Sequence, residues 1–345
     1  MDKISVIGLD LAKNVFHVHG VDFEGEVVMR KQLKRSQVSR FFANLEPCLI
    51  GMEACGGAHY WSRELTGLGH TVRVMAPIFV KAYLKANKKD RNDAEAICEA
   101  VQRPNMRFVQ PKTPEQQAVL HLHHARRLLV RQRVALSNHI RGVLSEYGIV
   151  LPQGVKVISR CLPALLEDAE NDLPMLARHL LAELKAEHDQ LIERAECLEG
   201  QVKTWHATNR VSQRLASIPG IGVLTASALA AVVGEGQDFR NGRQLAAYLG
   251  LVPRQASSGG KARLLGISKR GDGYLRGLLI HGARTVIYHI RRRIQAGQPG
   301  GNPWVEQLLQ RCHPNEVAVA LANKMARIAW VLLVRKETWC PARPV

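Results

Sequence analysis

Cysteines, aromatic residues and long apolar runs are all scarce in this 345-residue sequence, and each scarcity excludes a class of protein. The seven cysteines are odd in number and form no C-x-x-C pair, so neither a disulfide framework nor a zinc ribbon is expected. The first residues lack a signal-peptide pattern, and no uninterrupted apolar run is long enough to span a bilayer. We therefore expect a protein of the reducing cytoplasm with no membrane partner.

Acidic residues are also in the minority. Lys and Arg number 48 against 30 Asp and Glu, giving a net charge of +18 that is spread along the chain. Such a field favours a polyanionic partner. Because only 5% of the residues are aromatic, we expect contacts with backbone phosphates more than with stacked bases. Composition thus predicts a nucleic-acid-binding protein of two or three domains, with a basic protein of another kind as the alternative.

The first hundred residues alternate between strand and helix patterns. Apolar or alternating runs predict strands at 4–9, 15–21, 26–29, 48–52 and 71–75. Helical spacing predicts helices at 36–45, 58–68 and 79–86, and a further helix from about residue 90. Three meandering strands followed by helix, strand, helix, strand and helix form the order of a ribonuclease-H-like α/β domain.

Four acidic residues stand where this order can bring them together. Asp10 closes the first strand, Glu53 closes the fourth, and Asp90 and Asp93 lie three apart where the last helix begins. The first and fourth strands are neighbours in this topology, and residues i and i+3 share a helix face. Gathered carboxylates repel unless a cation lies among them, and oxygen ligands suit Mg²⁺ or Mn²⁺. The sequence predicts a divalent metal site, although each acid alone is more simply explained as a helix cap or a solvated side chain.

Beyond residue 111 the pattern is mostly helical. Between residues 181 and 205 apolar positions alternate by three and four, as in a coiled coil: Leu181, Leu184, His188, Leu191, Ala195, Leu198, Val202 and Trp205. This repeat predicts either a stalk that joins protomers or a helix packed within its own domain. Upstream, His121, His123 and His124 do not share one helix face, so we expect a solvated helix surface there instead of a metal site.

A glycine-rich stretch with two adjacent hydroxyls, QASSGGKAR, occupies residues 255–263, and GISKRG follows at 266–271. Glycine allows close backbone approach, and neighbouring cations favour phosphate oxygens. The stretch predicts a phosphate-binding loop with a possible serine nucleophile. Apart from Asp272 no acid or base is close in sequence, so the chemistry must come from elsewhere. Five cations are expected to hold phosphates here, unless they are solvated surface charges: Lys261, Arg263, Lys269, Arg270 and Arg276.

Seven short motifs follow one another along nearly the whole chain. They are GLDLAK at 8–13, MEACGG at 52–57, KDRNDAE at 89–95, PGIG at 219–222, GLVPR at 250–254, SGGK at 258–261 and ISKRG at 267–271. In this order they resemble the motifs of the IS one-ten insertion-sequence transposases, relatives of the Piv and MooV DNA invertases. The resemblance implies a RuvC-like domain with a following helix at 1–150, a helical coiled-coil segment at 151–210 and a mostly α transposase domain at 211–345.

The resemblance also implies roles for single residues. Asp10, Glu53, Asp90 and Asp93 match the family's DEDD metal site, and Ser258 matches its catalytic serine, with Ser257 as the adjacent rival. Family members are DNA recombinases that act as homo-oligomers, dimers or tetramers, at the prokaryotic nucleoid. A noncoding bridge RNA pairs with their donor and target DNA.

The expected activity is therefore RNA-guided cutting and rejoining of DNA through a phosphoserine intermediate, assisted by Mg²⁺ or Mn²⁺. Two alternatives stay open. The first is a RuvC-like nuclease or junction resolvase that uses metal-activated water, and the second is a non-catalytic scaffold for RNA or DNA.

Overall fold

The computed structural model describes residues 3–84, 90–257, 261 and 263–340, with Asp90 described only as the first residue of a helix. The chain divides into two compact units, Met1–Thr113 and Pro114–Val345. The finer division at residues 150 and 210 stays a prediction.

A six-stranded mixed sheet forms the centre of the first unit. Its strands are β1 Val6–Asp10, β2 Val15–Val21, β3 Val27–Lys34, β4 Leu49–Glu53, β5 Thr71–Met75 and β6 Phe108–Val109. They lie in the order β3-β2-β1-β4-β5-β6. Strands β1, β4 and β5 are parallel, and the other pairs are antiparallel. The predicted α/β order is confirmed for the elements from β1 to β5, whereas β6 was not predicted because two residues carry no periodic pattern.

The described residues of this unit form four α-helices: α1 Val38–Ala43, α2 Ala58–Gly67, α3 Pro77–Val80 and α4 Asp90–Val101. Successive residues of a strand point to opposite faces of the sheet. One face presents Ile7, Leu9, Ile50 and Met52, which are fully buried in a cluster that includes side chains of α1 and α2. The other face carries Gly8 and Gly51, and α4 packs there.

The glycines on this second face bring the α4 backbone onto the strands. A Cβ atom added at Gly8 would lie 2.0 Å from the carbonyl oxygen of Ala94, and one added at Gly51 would lie 2.7 Å from Cβ of Val101. A side chain at either position would therefore push the helix off the sheet. A glycine inside a strand pattern signals such close approach, and this signal was available in the sequence.

Where the structure describes it, the second unit is helical apart from one β-hairpin, β7 Pro253–Gln255 and β8 Leu264–Ile267. Its helices are α5 Pro114–Glu146, α6 Val157–Glu167, α7 Met175–Thr208, α8 Arg210–Ala216, α9 Val223–Val233, α10 Gly242–Tyr248, α11 Gly273–Gln295, α12 Pro303–Arg311 and α13 Pro314–Arg335. The predicted helical carboxyl-terminal region is confirmed.

Helices α5 and α7 run antiparallel and pack along their length. Trp205 Nε1 donates to Glu115 Oε1 at 2.6 Å, joining the end of α7 to the start of α5. Farther along, Arg126 Nη2 lies 2.7 Å from Glu199 Oε2, and Ser137 Oγ lies 2.9 Å from His188 Nε2. Most of the heptad positions that a coiled-coil partner would cover are buried within this chain: Leu181, His188, Leu191, Ala195 and Val202. The structure thus agrees with the alternative of a helix packed within its own domain.

In the described part of the chain, one helix, Pro314–Arg335, is long and apolar enough to cross a membrane, with a mean hydropathy of 1.7 in its most apolar window. Ten of its apolar residues, between Val317 and Leu333, are buried in the core of the second unit. The indole Nε1 of Trp330 donates to the carbonyl oxygens of Gly236 and Phe239 at 3.1 and 3.0 Å. Burial in this core accounts for the hydropathy of the helix.

Candidate active site

Asp10 and Glu53 close two neighbouring parallel strands. Leu9 lies opposite Met52 in the pairing of β1 with β4, so the next residue of each strand is Asp10 and Glu53 respectively. Both residues are half-buried. Both carboxylates act electrostatically on Cys55, which is exposed as a residue. Desolvation is the main cause that raises the pKa of its thiol, and the negative charges of Glu53 and Asp10 raise this pKa further. The register therefore places Asp10 and Glu53 at neighbouring strand ends, and their joint role in a metal site stays a prediction.

Helix α4 begins at the same end of the sheet. Ala94 lies against Gly8, while the thiol of Cys98 lies 3.8 Å from the carbonyl oxygen of Val6, so the helix runs from the Asp10 end of β1 towards its start. Asp93, in the first turn, is only 9% exposed. The positive end of the helix dipole favours carboxylates at this place. Asp93 is thus brought to the end of the sheet that carries the two strand carboxylates, whereas the side chain of Asp90 lies outside the described residues.

The chemistry of these donors suits a hard divalent cation. All are carboxylates, the ligands that Mg²⁺ and Mn²⁺ prefer. Within the described part of the chain, no three His, Cys, Asp or Glu side chains form a group that could hold a metal ion. Asp10, Glu53 and Asp93 thus have suitable donor chemistry, but these three side chains do not by themselves form such a group, and the side chain of the fourth predicted ligand, Asp90, is not described.

The serine stretch connects β7 to β8, a hairpin that sequence reasoning missed. Gln255 pairs with Leu264 across the strands, and the amide of Ala256 donates to the carbonyl oxygen of Arg263 at 2.9 Å. Ser257 is exposed, and its Oγ accepts a 2.9 Å hydrogen bond from Gln255 Nε2. Ser258, the predicted nucleophile, lies outside the described residues.

Four of the five predicted phosphate ligands are exposed near this hairpin, namely Lys261, Arg263, Lys269 and Arg270. The fifth, Arg276, is half-buried and donates from Nη1 to the carbonyl oxygens of Leu249 and Arg270, at 3.1 and 3.0 Å. These bonds brace the base of the hairpin against α10, a role that the sequence did not indicate.

Asp272, the acid nearest to the serines in sequence, caps a helix. Its Oδ1 accepts hydrogen bonds from the amides of Tyr274 and Leu275, at 2.7 and 3.2 Å, as the N-cap of α11. A capping carboxylate satisfies helix amides and is held by them. Among the described residues close in sequence to the serines, the structure therefore offers no acid that could assist them.

The solvated surface predicted for the three histidines is confirmed for His121 and His124, which are exposed, and is wrong for His123. His123 is fully buried, with Nδ1 2.9 Å from Tyr274 Oη and Nε2 3.0 Å from Ser227 Oγ. Desolvation, with further contributions from nearby Arg126 and His124, lowers the pKa of His123 to about 4. The ring therefore joins α5 to α9 and to the first turn of α11.

Comparison with known proteins covers both units. A family model for the DEDD transposase of IS110 elements matches residues 7–149, and the model described as "Transposase IS116/IS110/IS902 family" matches residues 212–297. A "Probable family 20 transposase" of Pseudomonas aeruginosa is 52% identical over 98% of this chain and 99% of its own length. The "Transposase for insertion sequence element IS1328" of Yersinia enterocolitica is 46% identical, with 96% and 97% covered.

The "Transposase for insertion sequence element IS1111A" of Coxiella burnetii is 44% identical over 98% of this chain and 92% of its own. Such identity over whole chains is consistent with the motifs and with the carboxylates at the strand ends. The chain therefore belongs to the IS116/IS110/IS902 family of insertion-sequence transposases.

Proposed function

We propose that this transposase recombines DNA through a covalent phosphoserine intermediate, with Ser258 as the nucleophile and Asp10, Glu53, Asp90 and Asp93 as the ligands of a divalent metal site. One observation carries the proposal: the carboxylates of Asp10 and Glu53 close adjacent parallel strands at the end of the sheet where α4 begins. A purely structural role does not require acids to gather at that point, where they repel each other.

Mg²⁺ or Mn²⁺ bound by these acids would supply positive charge that stabilises the transferring phosphate and lowers the cost of ionising a hydroxyl. The acids themselves fix where that charge lies. Their arrangement on two strands and one helix provides a rigid support, which a reaction on a charged phosphate needs. The committed N-cap role of Asp272 supports the assignment, because the serine then depends on groups outside its own hairpin.

The reaction balances without an external energy source. Oγ of Ser258 attacks phosphorus as its proton leaves, the bond from phosphorus to the 3′ oxygen breaks, and that oxygen gains a proton. DNA is then joined to the serine through a 5′ phosphate. A 3′-hydroxyl of the exchanged strand reverses the step, and the serine recovers its proton. Lys261, Arg263, Lys269 and Arg270, which are exposed beside the hairpin, hold the flanking phosphates.

The partners follow from the same proposal. Donor and target DNA are the substrates, and a noncoding bridge RNA selects them by pairing, which delegates sequence choice away from the protein. The active form is a homo-oligomer, with the acids of one protomer serving the serine of another. Because the α7 seam is largely buried against its own chain, a stalk contact between protomers would use other faces of the α5–α7 pair.

The test is to look for a protein–DNA adduct that survives denaturation. Wild-type protein, purified with its RNA, is incubated with labelled DNA of the element ends and Mg²⁺. We expect an adduct in the wild type and in the control Ser257→Ala, and none in Ser258→Ala. An undiminished adduct in Ser258→Ala would exclude this serine. Cut DNA without attached protein would support the nuclease alternative, and binding without any cutting would support the scaffold.

A further inference from the structure

A cavity of about 360 Å³ lies in the first unit beside the carboxylates. Strands β2 and β3 form its floor and the first turns of α4 form its wall. Its polar lining is His17, His19, Arg30, Lys31, Gln32 and Arg91. None of these residues belongs to the acid quartet or to the hairpin cations.

Strand register connects this cavity to the carboxylates. Asp10 lies opposite His17, which in turn lies opposite Gln32. In the next row, His19 lies opposite Arg30. Directly paired residues share one face of a sheet, with Cβ atoms roughly 5 Å apart. A row of polar side chains therefore runs from Asp10 across β2 to the edge strand, on the face that α4 occupies.

The charge of the cavity suits a polyanion. Arg30 and Arg91 are exposed cations, whereas the ammonium of Lys31 lies 4.9 Å from the ring centroid of Phe41 on α1, at the opposite face of the sheet. The start of α4 adds the positive end of a helix dipole. Glu95 opposes them in part, with Oε2 4.0 Å from Arg30 Nη2. The remaining positive charge lies next to the carboxylate pair. A strand whose phosphate is to react there must have neighbouring phosphates accommodated nearby.

We infer that this cavity binds the backbone of the DNA strand on which the adjacent carboxylates act, with His17, Arg30 and Arg91 contacting phosphates next to the reacting one. The inference rests on the proposed function for the identity of the strand. The occupant is DNA because the polar row leads directly to Asp10, and because the acids act on DNA in the proposed reaction.

Photo-crosslinking tests the inference without strand cleavage. The photoreactive residue p-benzoylphenylalanine replaces exposed Gln32 in the full-length protein. As the matched control it replaces exposed Arg40 on α1, which covers the opposite face of the same sheet. Each protein is irradiated in EDTA with a labelled single-stranded DNA 20-mer of mixed sequence, or with RNA of the same sequence.

We expect the yield of DNA crosslinked at position 32 to be several times the yield at position 40. At position 32, the yield with DNA should be at least equal to the yield with RNA. An equal yield at the two positions, or a preference for RNA at position 32, would overturn the inference. Because the assay contains no metal and needs no serine, the proposed phosphoserine chemistry can fail while this result stands, and the reverse also holds.

Salt dependence of binding gives a second measurement. For single-stranded DNA, the slope of the logarithm of the association constant against the logarithm of the salt concentration becomes more negative by about 0.7 for each phosphate contact. The double variant Arg30→Ala/Arg91→Ala should therefore reduce the magnitude of the slope for the DNA 20-mer by about 1.4, and the control Arg40→Ala should leave it unchanged. An unchanged slope in the double variant would contradict the proposed contacts.

Discussion

His123 shows how burial can assign a single residue a role that its sequence position does not suggest. Its neighbours His121 and His124 are exposed, yet the ring of His123 is enclosed between Ser227 and Tyr274. Helix spacing shows which residues share a face, but not whether a second layer of helices covers that face. The sequence therefore could not distinguish this histidine from the solvated ones beside it.

The low pKa of His123 predicts a pH dependence of stability. The folded protein keeps the ring neutral to about pH 4, whereas an unfolded chain takes up its proton near pH 6.5. The stabilising contribution is thus complete above pH 6.5 and is lost as pH falls towards 4. From pH 7 to pH 5 we expect the wild type to lose about 2 kcal/mol more free energy of unfolding than His123→Gln, measured by urea denaturation.

The matched control is His281→Gln, at an exposed position on α11. It should show the same pH dependence as the wild type. An equal loss of stability in His123→Gln and in the wild type would contradict the buried, neutral state of this ring.

Among the elements, α4 packs so closely on the sheet that no side chain fits between them at Gly8. Gly8 admits its backbone to the sheet, and this contact sets where Asp93 lies relative to Asp10. We expect Gly8→Ala to lower the free energy of unfolding by about 1–3 kcal/mol or more, because its Cβ would overlap the carbonyl oxygen of Ala94. Urea denaturation measures the change.

Gly67 at the end of α2 is the control for this change, since an added Cβ there meets nothing within 4 Å. Gly67→Ala should be neutral or stabilising by up to about 1 kcal/mol. If Gly8→Ala were as stable as Gly67→Ala, the close packing of α4 would be wrong.

Periodicity predicted most elements but not their partners. The run of strands from β1 to β5 follows from alternating apolar residues, and the strand order places Asp10 beside Glu53. In α7 the heptad pattern identified a face to be covered, but a pattern on one helix does not tell whether α5 or another protomer covers it. Strands β7 and β8 were missed because three or four residues are too few for a period.

At the scale of the whole molecule, the residues of the proposed reaction are divided between two units. The acids belong to the first unit and the serine stretch to the second. The sequence contained both sets of residues, and the family models match a segment in each unit. The bracing role of Arg276 and the capping role of Asp272 were not predictable, since both depend on which backbone groups the fold brings near them.

The central claim is that Ser258 attacks DNA only with the help of the carboxylates in the first unit. Its most direct test is the yield of the denaturation-resistant protein–DNA adduct formed by Asp10→Asn in Mg²⁺, beside wild-type protein and the opposite-face control Arg40→Ala. We predict that the adduct falls at least about 100-fold in Asp10→Asn, as expected for loss of a group that stabilises the transition state, and is unchanged in Arg40→Ala. A wild-type yield of adduct from Asp10→Asn would contradict the account.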